Sequence, residues 1–256
     1  MHFSRPKKRF YNGRQSNQQV TEKSGTSETT REAPAEKRDD DIVQQDWMEK
    51  QTQDIVVGSL LGDGWLDALS PRTGTSIYRL KYDDRSLAFL KRMRQALSEL
   101  EPSDLKTKPK YTQHFFYTRA REDIGKLRRI FYPHEGRKRV PENIGSLLTN
   151  PLSLAIWYQD DGTLDRRSKY HWNSRIATYC FPEEDCVRLK NALRDNFGIE
   201  VSVCRNSMRG KVYYELYVLS KSMEQFVDIV RPHMHQTFAY KILRLPMQET
   251  IGQQER

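Results

Sequence analysis

The chain has 256 residues, of which 36% are hydrophobic and 30% charged, and its formal net charge at pH 7 is +9. No apolar run reaches the length of a membrane span, and the N-terminus lacks the apolar segment of a secretory signal, so a membrane or secreted protein is not expected. A chain this basic is expected to bind a polyanion; nucleic acid is the first candidate, and a merely solvated basic surface is the alternative.

The three cysteines, Cys180, Cys186 and Cys204, are odd in number and follow no zinc-ligand spacing. They are interpreted as thiols of a reducing compartment. We therefore expect an intracellular protein, and three compartments remain open: mitochondrion, chloroplast and bacterial cytoplasm.

Residues 1–45 are predicted to be a disordered tail, because the segment is rich in Ser, Thr, Gln, Glu and Lys and has little to bury. Its first twenty residues contain five basic side chains and no acidic one. This composition suits a nucleic-acid-binding arm, an organellar transit peptide or a basic tail without a function.

The segment 46–140 is predicted to form the first of two similar repeats. Its predicted elements, in chain order, are an apolar helical run (55–61), a strand (76–82), a helix (83–100), a pair of strands (105–119) and a closing helix (121–132). Asp84 is the expected N-cap of the middle helix, because a short acidic side chain accepts hydrogen bonds from the free N–H groups of a first turn.

The segment 141–246 repeats this order, and residues 247–256 are assigned to a C-terminal tail. The elements of the second repeat are an apolar run (151–161), a strand (174–181), a helix (182–198), a hairpin (199–220) and a closing helix (222–234). Pro182 at the start and Gly198 at the end of the middle helix follow the usual asymmetry of helix termini. The same order found twice is typical of a duplicated unit.

The two apolar runs end in similar acidic sequences, VVGSLLGDG (56–64) and LAIWYQDDG (154–162). These resemble the LAGLIDADG motif of homing endonucleases, in the form with two motifs in one chain. The segment 131–164 resembles the branch of this family found in intron-encoded and bacterial proteins. The resemblance implies an α+β fold of two pseudo-symmetric α-β-β-α-β-β-α repeats packed through their motif helices, each with a saddle-shaped antiparallel sheet for DNA.

The residues themselves favour such packing of the two motif helices along a shared seam. Gly58 and Gly62 lie one turn apart and give the first helix a face on which a second backbone can approach. If the two helices pack side by side, Asp63 and Asp161 meet at their C-terminal ends, where mutual repulsion and both helix dipoles disfavour two carboxylates. A divalent cation removes this conflict, so Mg²⁺ (or Mn²⁺) is the expected cofactor. Alternatively, each aspartate is only a helix cap or turn residue beside a glycine.

The resemblance implies catalytic and metal-binding roles for Asp63 and Asp161. It also implies that the backbone carbonyls of the preceding residues, Gly62 and Asp160, are further metal ligands. The second motif has the bulkier Ile156 and Asp160 where the first has glycines, so a wider or asymmetric seam is expected there. We expect the Asp160 side chain to point away, toward solvent or a basic neighbour.

Enzymes of this family often place a lysine near each active site. Lys138, five residues past Pro133, is the expected catalytic lysine of the first half, and a solvated loop lysine is the alternative. In the second half the position that matches Lys138 is Thr237, so the nearby Lys241 is the candidate.

Strand alternation predicts which side chains of the two sheets face duplex DNA, although any solvated sheet shows the same pattern. The predicted DNA contacts of the first repeat are Arg79, Lys81, Lys106, Lys108, Lys110 and Arg119. Those of the second repeat are Arg175, Arg205, Arg209, Lys211, Tyr213 and Glu215. Directly after the second motif, the predicted contacts to phosphates near the cut are Arg166, Arg167 and Lys169.

The resemblance implies a site-specific, metal-dependent endonuclease that breaks both strands of double-stranded DNA at a long recognition site and acts as a monomer. Two alternatives remain. One is an intron maturase that binds RNA, with or without nuclease activity, and the other is a DNA-binding protein of the same fold that does not cut. The presence of both acids favours the nuclease.

Overall fold

The computed structural model describes residues 48–134, 136–165 and 172–243. The two predicted tails, residues 1–45 and 247–256, lie outside these ranges. Within them, no helix combines the length and the apolar character needed to cross a bilayer.

The described elements of the first half alternate between helix and strand. In chain order they are α1 (Lys50–Leu61), β1 (Trp65–Leu66), β2 (Tyr78–Asp83), α2 (Leu87–Ala96), β3 (Lys106–Lys108), β4 (Gln113–Tyr117) and α3 (Glu122–Phe131). A short helix, α4 (Ile144–Leu147), lies between the halves. The predicted strands and the first and closing helices of this half are confirmed, and the two-residue strand β1 adds one that the sequence did not locate.

The second half repeats the order. Its elements are α5 (Pro151–Asp161), β5 (Gly162–Asp165), β6 (Asn173–Ala177), α6 (Glu183–Phe197), β7 (Val201–Met208), β8 (Lys211–Val218) and α7 (Met223–Val230). As predicted, Pro182 is the N-cap of α6, and Gly198 ends it in the left-handed conformation, with φ of 66°. That conformation suits glycine because it has no Cβ.

Each half contributes one four-stranded antiparallel sheet. The strand orders are β1-β2-β4-β3 and β5-β6-β8-β7, so corresponding strands occupy corresponding places. The predicted mixed fold of helices and antiparallel sheets is therefore confirmed.

The predicted helix at 83–100 is interrupted, and its predicted N-cap is wrong. Residues Asp84–Ser86 form a 3₁₀ turn, and the Asp83 side chain accepts the hydrogen bond from the Ser86 N–H at 3.3 Å. Asp84 instead pairs with His114 at 2.5 Å. A cap acts on the first turn that forms, and here this is the 3₁₀ turn before α2.

Helices α1 and α5 pack against each other at the centre of the molecule and are buried over most of their length. A Cβ added at Gly58 would lie 2.9 Å from the Ser153 Cα, and closer still to the carbonyl oxygen of Ser153, so only glycine permits this approach. At the N-terminal end of the seam, Asn150 Nδ2 donates to Asp54 Oδ2 at 2.7 Å. The small residue at 58 thus sets the distance between the two motif helices.

Candidate active site

The two motif acids sit at the C-terminal ends of the packed helices. Asp161 is the last residue of α5, and Asp63 follows α1 by two positions. Burial raises the pKa of Asp63. The pKa of Asp161 is raised to about 7, mainly by burial and then by the negative charge of Asp63. The structure therefore brings two mutually repelling carboxylates into one site.

The Asp160 side chain points into the seam, so the expectation that it turns away is wrong. Its Oδ1 accepts a hydrogen bond from the Tyr82 hydroxyl, and its Oδ2 accepts one from the Asp63 N–H at 3.1 Å. A Cβ at Gly62 would lie 2.5 Å from the Asp160 Cβ. The space that Gly62 leaves open in one motif is thus filled by the side chain at the aligned position of the other. Burial and the charge of Asp63 raise the pKa of Asp160 well above its usual range.

Lys138 caps the C-terminal end of α1. Its Nζ donates to the carbonyl oxygen of Gly62 at 2.7 Å and to that of Gly64 at 2.8 Å. A cation at this end of a helix is favoured by the helix dipole. Burial lowers the pKa of Lys138, and the nearby acids Asp161, Asp160 and Asp63 oppose this shift.

Lys241 caps the C-terminal end of α5 in the same way. Its Nζ donates to the carbonyl oxygens of Gln159 at 2.6 Å and Asp160 at 3.4 Å, and the residue is only 7% exposed. Burial lowers its pKa as well. Thr237 is instead engaged with the His235 ring, at 2.9 Å. The structure thus places one lysine at the end of each motif helix; the catalytic role of both remains a prediction.

The oxygen atoms of this site suit a hard divalent cation. Among the described residues, no group of three or more His, Cys, Asp or Glu side chains is arranged to hold a metal ion. Mg²⁺, however, is usually bound by one or two carboxylates and completes its shell with water and substrate phosphates. The carboxylates of Asp63 and Asp161 and the carbonyls of Gly62 and Asp160 are of this type. A carbonyl that accepts from a lysine keeps a second lone pair for a metal.

Two clefts flank Asp63, which lines both. The first, here called the Lys138 cleft, is also lined by Asp161, Lys138, Trp65 and Cys180. The second, the Lys241 cleft, is also lined by Asp160, Lys241, Lys81 and Tyr240. Each lysine therefore lines a different cleft, and Asp63 is the acid that lines both.

The solvent-facing side of the first sheet carries four of the predicted DNA contacts. Lys81 of β2 and Lys106 of β3 both pair with Phe115 of β4, so the three side chains form one row across this face. Lys108 lies on the same side of β3 and is exposed. Arg79 is on this face too, where Asp67 holds its guanidinium with two hydrogen bonds of 2.7 Å.

Two further predicted contacts of the first half lie outside its strands. Lys110 is in the 3₁₀ turn Pro109–Tyr111. Arg119 follows β4 and pairs with Glu101 at 2.9 Å. Strand alternation therefore does not decide which way either side chain points.

In the second sheet, Arg205 lies on the opposite face from the other predicted contacts. Lys211, Tyr213 and Glu215 alternate along one face of β8, whereas Arg205 pairs across β7 with Tyr214 of the other face. The pairing register of the β7–β8 hairpin decides the face on which Arg205 lies, because a shift of one residue moves a side chain to the other side of the sheet. The assignment of Arg205 to the DNA-facing side is therefore wrong.

Glu215 and Arg175 bind each other on the predicted DNA-facing side. Glu215 is only 4% exposed, and its carboxylate accepts from Arg175 at 3.1 Å and from the Tyr179 hydroxyl at 3.1 Å. Arg209 lies in the two-residue turn between β7 and β8, with φ of 53°. The predicted phosphate contacts Arg166, Arg167 and Lys169 lie outside the described residues.

Sequence reasoning missed two side chains at the site. Tyr82 binds Asp160, and the glycine aligned with that acid was the available signal for a tight contact. Trp65 comes two positions after Asp63 and is 59% exposed at the edge of the Lys138 cleft. The signal available in the sequence was its position, directly after the first motif.

We expect the metal-free protein to lose folding stability as the pH rises from about 4 to about 7. The unfolded chain releases the Asp161 proton near pH 4, whereas the folded protein keeps it until about 7. In this window the folded state binds more protons, so the free energy of unfolding falls with rising pH. Urea unfolding in EDTA at pH 5 and pH 8 measures the effect. Asp161→Asn should be more stable than wild type at pH 8, and an unchanged pH dependence in this variant would contradict the assignment.

Comparison with known proteins places these features in context. A sequence model of the LAGLIDADG DNA endonuclease family matches residues 53–226. The chain is 29% identical to the protein RecA of Mycolicibacterium flavescens, over 78% of this chain and 48% of that protein. It thus spans about half the length of this RecA protein, and 27% of the RecA protein of Mycobacterium leprae (strain TN).

Two other curated relatives are covered over most of their length. The chain is 25% identical to the DNA endonuclease I-ChuI of Chlamydomonas applanata, over 75% of this chain and 94% of that protein. It is also 25% identical to the cytochrome b mRNA maturase bI2 of Debaryomyces hansenii, over 76% and 74%. The solved structure of the homing endonuclease I-WcaI bound to its DNA recognition sequence superposes with a TM-score of 0.64 at 22% identity. It covers 82% of this chain and 94% of that one, and it shows the same fold.

Proposed function

Since the chain belongs to the LAGLIDADG DNA endonuclease family, we propose that it is a divalent-metal-dependent endonuclease that breaks both strands of double-stranded DNA at a long, specific site. The observation that carries this proposal is the pairing of Asp63 and Asp161 at the ends of α1 and α5, with one lysine capping each helix. A structural role alone does not account for it, because two mutually repelling carboxylates at helix C-termini destabilise the fold.

We assign a metal-binding role to Asp63 and Asp161, together with the carbonyls of Gly62 and Asp160. A bound Mg²⁺ or Mn²⁺ supplies an activated water and stabilises the charge on the leaving oxygen of the phosphodiester. Lys138 and Lys241 place positive charge at the two clefts, where it balances the charge that develops on the phosphate. Their lowered pKa values, caused by burial, also suit them to exchange a proton with water at the site.

The partner proposed for the two sheet faces is duplex DNA. Lys81, Lys106 and Lys108 share one side of the first sheet. Lys106 lies over the half-buried ring of Tyr117, and Lys108 over that of Phe115. Lys81 also lines the Lys241 cleft, so this basic surface leads directly to the acids. Phosphate contacts of this kind release counterions, and the affinity should therefore fall steeply as salt is raised.

A second candidate is a role in RNA splicing, and the match to a cytochrome b mRNA maturase favours it. The same basic surface would then bind intron RNA, with or without cleavage of DNA. A DNA-binding protein that does not cut is a third possibility, and the presence of both motif acids weighs against it.

Cleavage of a plasmid library with randomised inserts in Mg²⁺ tests the nuclease and finds its target sequence in the same experiment. We expect a small set of plasmids to be linearised, with a shared sequence at the ends, and no linear product in EDTA. Binding to DNA and to structured RNA is measured in parallel without metal. Tight RNA binding without any linear product would favour the maturase, and DNA binding alone would favour the DNA-binding protein that does not cut.

A further inference from the structure

We propose that Asp185, in the first turn of α6 in the second half, is a positioning residue that holds the first half's Lys138 at its cleft. The inference rests on the proposed nuclease function, in which Lys138 and Lys241 serve separate clefts, and it takes each cleft to serve one of the two strands. It adds a residue from the other half of the chain to that active site.

Lys138 lies in the segment between α3 and α4, and the two residues after it are fastened to Asp185. Arg139 Nε donates to Asp185 Oδ2 at 2.9 Å, and Arg139 Nη2 donates to Asp185 Oδ1 at 3.0 Å. The Val140 N–H donates to Asp185 Oδ2 at 2.8 Å. Arg139 also donates to the exposed Glu184 carboxylate, but Asp185 alone binds both Arg139 and the backbone of Val140. The chain on the C-terminal side of Lys138 is therefore fixed mainly by Asp185.

Asp185 is well suited to hold this segment. Its side chain is fully buried, and Arg188, one turn further along α6, donates a fourth hydrogen bond at 2.6 Å. A carboxylate in the first turn of a helix is also stabilised by the helix dipole. Hydrogen bonds to a buried charged group are among the strongest in proteins, so the anchor is rigid.

The anchor serves only one of the two lysines. Lys241 is carried by the 3₁₀ segment Gln236–Lys241, and the structure gives Asp185 no bond to that segment. A backbone hydrogen bond from Arg139 to Phe131, at 2.8 Å, keeps the Lys138 segment attached when the side-chain bonds are lost. Weakening Asp185 should therefore loosen Lys138 without unfolding the chain.

The first measurement is independent of cleavage. Lys138 should be poorly acetylated by a water-soluble reagent in the wild-type protein, because its Nζ is occupied by two carbonyls. In Asp185→Asn its acetylation rate, followed by mass spectrometry, should rise several-fold while that of Lys241 stays unchanged. An unchanged rate for Lys138, or an equal rise at both lysines, would overturn the proposal.

The second measurement follows each strand of a labelled target. We expect Asp185→Asn to slow the cutting of one strand by about 10- to 100-fold, the usual cost of losing a group that orients a residue of a metal site. The strand should be the one slowed by Lys138→Met, and the double variant should be no slower than Lys138→Met alone. Equal slowing of both strands, or additive effects, would show that Asp185 only supports the fold.

Matched variants separate positioning from folding. Asp195→Asn removes an acid from the same helix, where it forms an exposed pair with Arg194, and should change neither strand nor lysine reactivity. Arg139→Gln removes the side-chain hydrogen bonds to Asp185 and should raise the reactivity of Lys138 and slow the same strand. It provides the test if Asp185→Asn folds poorly. A wild-type protein that cuts neither strand would contradict the proposed function, while the acetylation comparison would still decide the role of Asp185.

Discussion

Replacing Asp63 or Asp161 by asparagine is expected to abolish double-strand cleavage while leaving DNA binding largely intact. Bound metal stabilises the transition state by several kcal/mol, so loss of a ligand should lower the rate by about 10³-fold or more. Asparagine keeps the size of the side chain and removes the mutual repulsion that raises the pKa of Asp161. The variants should therefore be inactive and at least as stable as the wild type.

Time courses of plasmid cleavage, thermal unfolding and fluorescence anisotropy on the same DNA in EDTA measure the three properties. Asp228→Asn is a suitable control, because Asp228 is an exposed acid of α7, 3.9 Å from Arg231. It changes the net charge by the same amount and should cut at the wild-type rate. Full cutting by Asp63→Asn or Asp161→Asn would contradict the assignment of the active site.

Gly58→Ala is expected to destabilise the fold by separating the motif helices. The added Cβ would lie against backbone atoms of Ser153, which cannot rotate away. Overpacking of this kind costs about 1–3 kcal/mol, and the better helix propensity of alanine returns about 1 kcal/mol. Since the obstacle is backbone, we expect a cost near the upper end of this range, hence a net loss of about 2 kcal/mol and a fall in Tm of roughly 4–8 °C.

Gly145→Ala in α4 is the matched control for this experiment. A Cβ at Gly145 would meet no atom within 4 Å, so only the gain in helix propensity, at most about 1 kcal/mol, should remain. Thermal unfolding of both variants and the wild type provides the comparison. Equal effects of the two substitutions would show that the seam tolerates a wider separation than the structure implies.

The order of elements was predictable because it depends on local patterns that occur twice. Two apolar runs located α1 and α5, and the glycine at 58 indicated a close helix contact. The short strand β1 was not located, since two residues give no alternation to detect. The N-cap of the α2 region was misplaced by one residue, because Asp83 and Asp84 both suit a cap and only the 3₁₀ turn decides between them.

The orientation of side chains at the site was harder to predict. Asp160 was expected to turn away because its charge was considered alone, without the empty space at Gly62 that receives it. Lys241 does not align with Lys138 in sequence, yet both reach carbonyls at a helix end, because the preceding turns differ in length. Arg205 was placed on the wrong face because strand register depends on the hairpin and is not set by composition.

The fit of Gly62 against Asp160 means that each half is shaped to recognise the other and not itself. Two copies of the first half would set glycine against glycine and leave a void at the end of the seam. Two copies of the second half would force a pair of carboxylates into the space of one. The contact between the two motif helices therefore depends on the halves being different. Replacing either half by a copy of the other would disrupt it.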